Sequence, residues 1–337
     1  MDGTLAAGDL EVGAIELIQG LLLAFAVVVI VMPSYIRLLS WVGIGKKIRE
    51  EGPTTHLVKQ GTPTMGGLLI IIVVAVLAYV LDGLDATTYS PVAALLGVGL
   101  LGAADDFLNS KTGLGISVRQ KLVWQLVVAV LAAIYIQRHF NLDGIRVPFA
   151  GEVTIGPVAY ITFAAFAIIA SSNGVNITDG LDGLAGGTLI FAFISYLIIA
   201  ELNEPHQPKV ALMCALIIGA VLGFLWFNVH PAQIIMGDSG SLALGATLAV
   251  TALVTFQILV LPLIGIIFVI ETASVIIQVA YFKSTGGRRI FLMSPIHHHF
   301  ELKGWDEEKI TLRFWIVAIL AGLLGVTFFL ASIKALR

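Results

Sequence analysis

The sequence predicts an all-α integral membrane protein of about ten transmembrane helices, and three observations support that fold class. Of its 337 residues, 58% are hydrophobic and 12% charged, roughly half the charged share of a soluble domain. Apolar runs recur at the length of about 20 residues that a helix needs to cross a bilayer. Lysine and arginine gather in alternate connecting segments, the asymmetry that orients helical membrane proteins. A net charge of -3 is too small to argue for a nucleic-acid partner. Cys214 is the one cysteine and sits within an apolar run, so it forms no internal disulfide and reads as a packing residue.

The expected spans fall near 14–40, 65–83, 91–108, 119–138, 157–173, 184–202, 209–228, 241–257, 259–282 and 312–334. The first run is longer than a signal-peptide core and lacks a basic flank, so it is expected to be a retained span. Residues 241–282 are almost continuously apolar; their length and Pro262 favour two spans joined in a tight hairpin. Asp143-Gly144 and Gly151 bracket a short alternating stretch, 145–155, expected as a β-hairpin outside the membrane between spans four and five. Trp305, Asp306 and Ile310 fit a hydrophobic staple around an N-cap, with Glu307 and Glu308 in the first turn of the last helix. With no tandem repeat, low-complexity tract or long linker, residues 1–337 are expected to form a single polytopic membrane domain.

Orientation follows from the basic residues. Arg37, Lys46, Lys47, Arg49 and Lys59 flank the first span; Lys111, Arg119 and Lys121 the third; Lys283, Arg288, Arg289, Lys303, Lys309 and Arg313 the ninth. These odd-numbered loops are therefore expected in the cytoplasm and both termini outside. The polar clusters then share one face. Asp105-Asp106 end the third span, residues 173–184 follow the fifth, Asn228 and Gly237-Asp238-Ser239-Gly240-Ser241 follow the seventh, and His297-His298-His299 follow the ninth. The acids assigned to the outer face (Asp82, Asp85, Asp143, Glu152, Glu201 and Glu204) are scattered instead.

The stretch 173–184, Asn-Gly-Val-Asn-Ile-Thr-Asp-Gly-Leu-Asp-Gly-Leu, packs amides, a hydroxyl, carboxylates and glycines between two apolar runs. A plain turn needs far less. Polar density at a bilayer edge marks a site, and oxygen donors of this kind suit a hard cation. Asp179 and Asp182, three apart, share a face if the segment is helical; with Gly180 and Gly183 present it can equally be an irregular loop. Asp105 and Asp106 point about 100° apart on a helix, so they do different jobs. Asp238, in a glycine- and hydroxyl-rich motif just before a helix, suits Mg²⁺ better than bare phosphate. Consecutive histidines cannot share one direction, so 297–299 make a poor zinc site; they can donate to phosphate or steady a leaving group. Lys59 and Lys121, with Thr62 and Thr64, add cations and hydroxyls, although lysines at such places also serve topology alone. No Walker-type phosphate loop or dinucleotide fingerprint is present. Together these features suit Mg²⁺-assisted phosphoryl transfer between a diphosphate substrate and a lipid.

At these residues the chain resembles the polyprenyl-phosphate N-acetylhexosamine-1-phosphate transferases, and within them the phospho-N-acetylmuramoyl-pentapeptide transferase branch. The matching blocks are Lys59-Gln60-Gly61-Thr62-Pro63-Thr64-Met65-Gly66-Gly67, Asp105-Asp106, residues 173–184, Met236-Gly237-Asp238-Ser239-Gly240-Ser241-Leu242 and Ser294-Pro295-Ile296-His297-His298-His299-Phe300-Glu301. The first and last of these mark the peptidoglycan branch; the others mark the superfamily. The resemblance implies a ten-helix homodimer in the bacterial cytoplasmic membrane, its active site on the cytoplasmic face. It implies transfer from UDP-MurNAc-pentapeptide to undecaprenyl phosphate, giving lipid I and UMP in peptidoglycan synthesis, with Mg²⁺ as cofactor. By the same analogy Asp238 is the principal magnesium ligand and His297 is catalytic. Asp105 and Asp106 serve the lipid phosphate, one of them as proton acceptor; which one, and whether transfer takes one step or two, stay open. Asn173, Asn176, Asp179 and Asp182 belong to the nucleotide and diphosphate pocket. Lys59, Thr64, Lys121, Asn228, Gln278 and His298 line the same cleft. The competing expectations are a related enzyme using UDP-GlcNAc and, from another class, a cation or proton transporter. A transporter places its acids near the midplane, whereas here they gather at one surface.

Overall fold

The computed structural model describes residues 5–45, 59–81 and 83–336, with backbone alone at 5–12 and 336. Lys46, Lys47, Arg49 and Asp82 lie outside the described residues. The chain is a multi-pass membrane protein. Its order is α1 (Leu5–Val42), α2 (Gly66–Val80), α3 (Tyr89–Thr112), α4 (Val118–His139), β1 (Gly144–Val147), β2 (Gly151–Thr154), α5 (Pro157–Thr178), α6 (Leu184–Leu202), α7 (Pro208–Asn228), α8 (Gly237–Val254), α9 (Leu261–Ile264), α10 (Ile266–Ser284), α11 (Ile296–Leu302) and α12 (Glu307–Leu336). Among the described residues nine helices are long and apolar enough to span a bilayer. The tenth expected span is α2, a 15-residue helix only about 22 Å long. Branched runs such as Ile70, Ile71, Ile72, Val73 and Val74 are helical here, because a spanning segment in hydrocarbon must satisfy its backbone internally.

Helix α8 is the buried axis: 89% of its spanning window is enclosed, against 22% for α1. Its sequence explains this. Gly240, Ala243, Gly245, Ala246 and Ala249 are small enough for neighbouring backbones to come close. Thr247, Thr251 and Thr255 each return their hydroxyl to the carbonyl four residues back, at 2.8 Å, so these three hydroxyls are satisfied within the core. Helices α3 and α5 pack along α8, and α2 joins them at one side. The approach of α3 is closest at Gly102, where any Cβ would overlap the Asp238 carbonyl. That contact sets the depth of the α8 N-terminus, and with it the position of Asp238.

Boundaries shift in three informative places. Helix α5 runs on to Thr178, five residues past the expected end at 173, so Asn173 and Asn176 are helical and the irregular part shrinks to 179–183. Helix α8 begins at Gly237, four residues earlier than expected, which puts Asp238 in its first turn. The stretch 241–282 does not fold into a hairpin of two packed helices. It breaks at 255–257, where Phe256 has φ 59°, passes through the single turn α9 around Pro262, and sends α10 chiefly against α5. The hairpin β1–β2 is antiparallel with Arg146 opposite Glu152. The expected staple also forms: Ile310 is fully buried and Trp305 packs on its cluster.

Candidate active site

Three clusters of polar side chains lie at one set of helix ends. In the first, Lys121 of α4 bridges two carboxylates: its Nζ is 2.5 Å from Asp105 Oδ2 and 2.7 Å from Asp238 Oδ2. Asn176 Nδ2 donates to Asp238 Oδ1 at 2.9 Å and to Ser241 Oγ at 2.9 Å. The backbone amide of Ile116 donates to Asp105 Oδ1. Asp106 faces the start of α8 and accepts the amides of Asp238 and Ser239 on its two oxygens, both at 3.0 Å. A carboxylate at a helix N-terminus meets unsatisfied amides and the positive end of the helix dipole. The adjacent aspartates therefore diverge as helical geometry requires: Asp106 caps α8, and Asp105 meets Lys121. The group opens into a cavity of about 210 Å³ lined by Thr64, Asp106, Asn109, Asn176, Asp179 and Asp238, among others.

The second cluster centres on Lys59. Its Nζ lies 2.8 Å from Asp182 Oδ1 and 2.5 Å from Glu307 Oε1. Burial draws the pKa of this ammonium down, but Glu307 and Asp182 outweigh it and leave the pKa above its ordinary value. His230 Nδ1 is 3.0 Å from Asp182 Oδ2. The Asp182 amide donates to Glu307 Oε1 and the Ala232 amide to Asp182 Oδ2. Asn228 Oδ1 accepts the Gly183 amide at 3.0 Å while its Nδ2 donates to the Ile234 carbonyl at 2.9 Å.

The third cluster surrounds α11. His297 and Glu271 are buried, with Nδ1 and Oε2 3.0 Å apart. His298 Nδ1 is 2.5 Å from Glu301 Oε2. His299 Nδ1 accepts the Leu292 amide at 3.1 Å; desolvation first, then Lys303, lowers its pKa, which favours the neutral ring that can accept. The three histidines thus have three sets of partners, and they stand on a short helix rather than a loop.

One turn touches all three clusters. Asp179 lines the cavity, Gly180 lies flush against the His297 ring, and Asp182 meets Lys59 and His230. The structure therefore brings Asp105, Asp106, Lys121, Asn176, Asp179, Asp238 and Thr64 together, and gathers Lys59, Asp182 and Asn228 beside them. Asn173 turns instead to Gln125 of α4 at 2.9 Å. Gln278 clamps the 290–291 backbone, accepting from Ile290 and Phe291 and donating to the Phe291 carbonyl, and lines a separate cavity with Lys283 and Arg289.

Several participants have little or no signal in the sequence. His230 stands in an unremarkable loop, and Glu307 looks like an ordinary first-turn acid. Glu271 did carry a signal: it is a lone carboxylate inside the expected span 259–282, where an ionisable group marks function by default.

On chemistry, the first cluster offers only oxygen donors around a polar cavity, which suits a hard divalent cation that keeps some of its water. A second set, Asp182, His230 and Glu307, has ligand atoms within 4.8 Å of one another. Lys59 spans its two carboxylates, as Lys121 spans Asp105 and Asp238, and the amides of Asp182 and Ala232 take up further oxygens of this second set.

An apolar groove of about 370 Å³ is walled by Phe166, Ala170 and Gly174 of α5 and by Phe268, Val269 and Ile276 of α10. Phe166 and Ile276 are exposed on the membrane-facing side. Helix α5 lines the groove through Gly174 and the polar cavity through Asn176, residues about 200° apart around the helix, so the two openings lie on different faces of α5.

A carboxylate-rich cavity in a multi-pass membrane protein that also carries an apolar groove suits the class of enzyme that handles a lipid at a charged centre. The comparisons agree with that class. Residues 88–256 match the model of glycosyl transferase family 4, and residues 59–71 match phospho-N-acetylmuramoyl-pentapeptide-transferase signature 1. The chain is 43% identical over 322 residues to the phospho-N-acetylmuramoyl-pentapeptide-transferase of Desulfotalea psychrophila, covering 90% of this chain and 89% of that one. It is 45% identical over 311 residues to the same-named protein of Geobacillus kaustophilus, covering 90% and 94%, and 43% identical over 319 residues to that of Listeria monocytogenes, covering 92% and 97%. The chain belongs to the phospho-N-acetylmuramoyl-pentapeptide-transferase family.

Proposed function

We propose that this protein transfers phospho-MurNAc-pentapeptide from UDP-MurNAc-pentapeptide to undecaprenyl phosphate, releasing UMP and forming lipid I. The observation that carries the proposal is the oxygen-lined cavity at Asp238, tied through Lys121 to Asp105, in a chain that also presents an apolar groove between α5 and α10. The name that the relatives share supports UDP-MurNAc-pentapeptide over UDP-GlcNAc. The enzyme works as a homodimer in the bacterial cytoplasmic membrane, with this face toward the cytoplasm and both termini outside.

In this reading the polyprenyl tail lies in the α5–α10 groove and its phosphate enters the cavity beside Asn176. Asp238, supported by Asp179 and Asn176, is the residue to hold Mg²⁺; when bound, the ion supplies charge that offsets the repulsion between two phosphate-bearing substrates. Lys121 adds a fixed cation to the same end. Asp106 is occupied by the α8 amides, so it aims Asp238. The lipid phosphate proton goes to Asp105 or Asp106, both of whose carboxylates are engaged within the protein, Asp105 by the Ile116 amide and Lys121 and Asp106 by the α8 amides. Thr64 lines the approach. Lys59, Asp182 and Asn228 shape the nucleotide end through the 179–183 turn, with Asn173 behind them on α5. His297 and His298 stand at the back of that turn toward the diphosphate, and Gln278 holds the loop leading to them.

The test is UMP release by the full-length protein in lipid nanodiscs. Turnover should require both undecaprenyl phosphate and Mg²⁺, stop with a chelator, and favour UDP-MurNAc-pentapeptide over UDP-GlcNAc. Product with UDP-GlcNAc alone assigns the chain to the related sugar-phosphate transferases; turnover undiminished by the chelator removes the metal.

A further inference from the structure

We infer that Glu271 is a positioning residue, whose buried carboxylate holds the Nδ1 edge of His297 so that Nε2 faces the turn 179–182. The inference rests on the catalytic assignment of His297 made above.

Glu271 is 0% exposed and His297 1% exposed. Neither carboxylate oxygen and neither ring nitrogen has a hydrogen-bond partner among the described residues. Yet Oε2 and Nδ1 stand 3.0 Å apart, at bonding distance with the N–H off the line of the acceptor. A carboxylate inside a spanning helix is costly unless a partner compensates it, and His297 is the partner at bonding distance among the described residues. Ser274 donates its hydroxyl to the Glu271 backbone carbonyl rather than to the carboxylate. Gln278, the next polar residue on that face of α10, is committed to residues 290–291. His298 is engaged with Glu301.

The far edge of the ring is as constrained as the near one. A Cβ at Gly180 would overlap His297 Nε2, so only glycine lets the turn lie flat against the imidazole. The ring is therefore held between the α10 carboxylate and the backbone that carries Asp179 and Asp182. A carboxylate on one imidazole nitrogen selects the tautomer and orientation of the other. The stripe Ile267, Glu271, Ser274 and Gln278 recurs at helical spacing along the buried face of α10, which aligns Glu271 with the α11 side of the helix.

The experiment measures UMP release by full-length Glu271→Gln, Glu271→Asp and His297→Gln, and by the double variant Glu271→Gln/His297→Gln, in nanodiscs with melting temperature followed. Glu271→Gln should lower kcat at least about tenfold while the KM for the sugar nucleotide moves less than about twofold. Glu271→Asp, which keeps the charge, should recover part of the loss. In the double variant Glu271→Gln should add almost nothing to His297→Gln, because the two act as one unit. Wild-type turnover in Glu271→Gln overturns the inference, as does a drop in melting temperature with kcat intact in the folded fraction, or losses that multiply in the double variant. If Glu271→Gln does not fold, Glu271→Asp carries the test: kcat and KM both at wild-type values would then overturn the inference. Full turnover by His297→Gln removes the catalytic assignment of His297 instead, a result separable from the others. If His297→Gln leaves too little turnover for the cycle, the kcat-against-KM split of Glu271→Gln decides alone.

Discussion

Lys121 with Asp105 and Asp238, and Lys59 with Asp182 and Glu307, are the same chemical set: one ammonium between two carboxylates. Their surroundings make them different devices. In the Lys59 set Asp182 is buried and Glu307 half-buried, their side chains 5% and 13% exposed. Backbone amides of Asp182 and Ala232 take up further lone pairs, and His230 closes one side. That set braces the 59–64 segment, the 179–183 turn, the α7–α8 loop and the start of α12. In the Lys121 set, Asp238 is 25% exposed on its side chain and opens to the polar cavity. An ion pair with satisfied lone pairs braces the fold; the same pair opening to a polar cavity has capacity left for a ligand.

The largest effect that sharpens this contrast is Asp238→Asn. UMP release should fall about a hundredfold or more, with the melting temperature little changed. Loss of fold with turnover per folded molecule intact would reverse the two roles. Next is Lys59→Met, which leaves buried carboxylates uncompensated and should cost about 3 kcal/mol of stability, seen as a lower melting temperature in nanodiscs. Asn228→Ala strands the Gly183 amide and the Ile234 carbonyl and should cost about 1–2 kcal/mol, checked by the same melt. Glu308→Gln should change almost nothing, below about 0.5 kcal/mol, since Glu308 is 54% exposed and 3.6 Å from His230.

The brace also has a pH signature. Because the pKa of Lys59 is raised in the folded protein, its contribution is full below the unfolded lysine value near about 10.4 and is lost as pH rises through the folded value above it. The gap in melting temperature between wild type and Lys59→Met should therefore hold constant from neutral pH to about 10 and narrow beyond. Narrowing already near neutral pH would mean that another group governs the brace.

Much of this was legible in the primary structure. Spanning helices announce themselves because hydrocarbon demands long apolar runs, and the β1–β2 hairpin because its glycines and alternation are local. Asp105, Asp106, Asp179 and Asp238 stood out for the same reason: a charge beside a membrane span is expensive to keep. The division of labour among them was not legible. Nothing local tells Asp106 that its oxygens will cap α8, or tells Asp182 that Lys59 and Glu307 will hold it away from Asp238. Glu271 was visible as a lone acid in a span, whereas its partner His297 lies 26 positions on and meets it only after α11 folds back.

By itself, the order of residues determined an α-helical membrane protein, the polar residues that gather at one end and, through its motif blocks, the family. Those properties depend on composition and short-range spacing, which act before any long-range contact forms. Tertiary packing alone decided which lysine meets which acid, where the groove opens and which carboxylates keep room for a ligand. Of these pairings Lys121–Asp238 and Lys59–Glu307 join residues more than a hundred positions apart, and their strength depends on burial, which no stretch of sequence carries on its own.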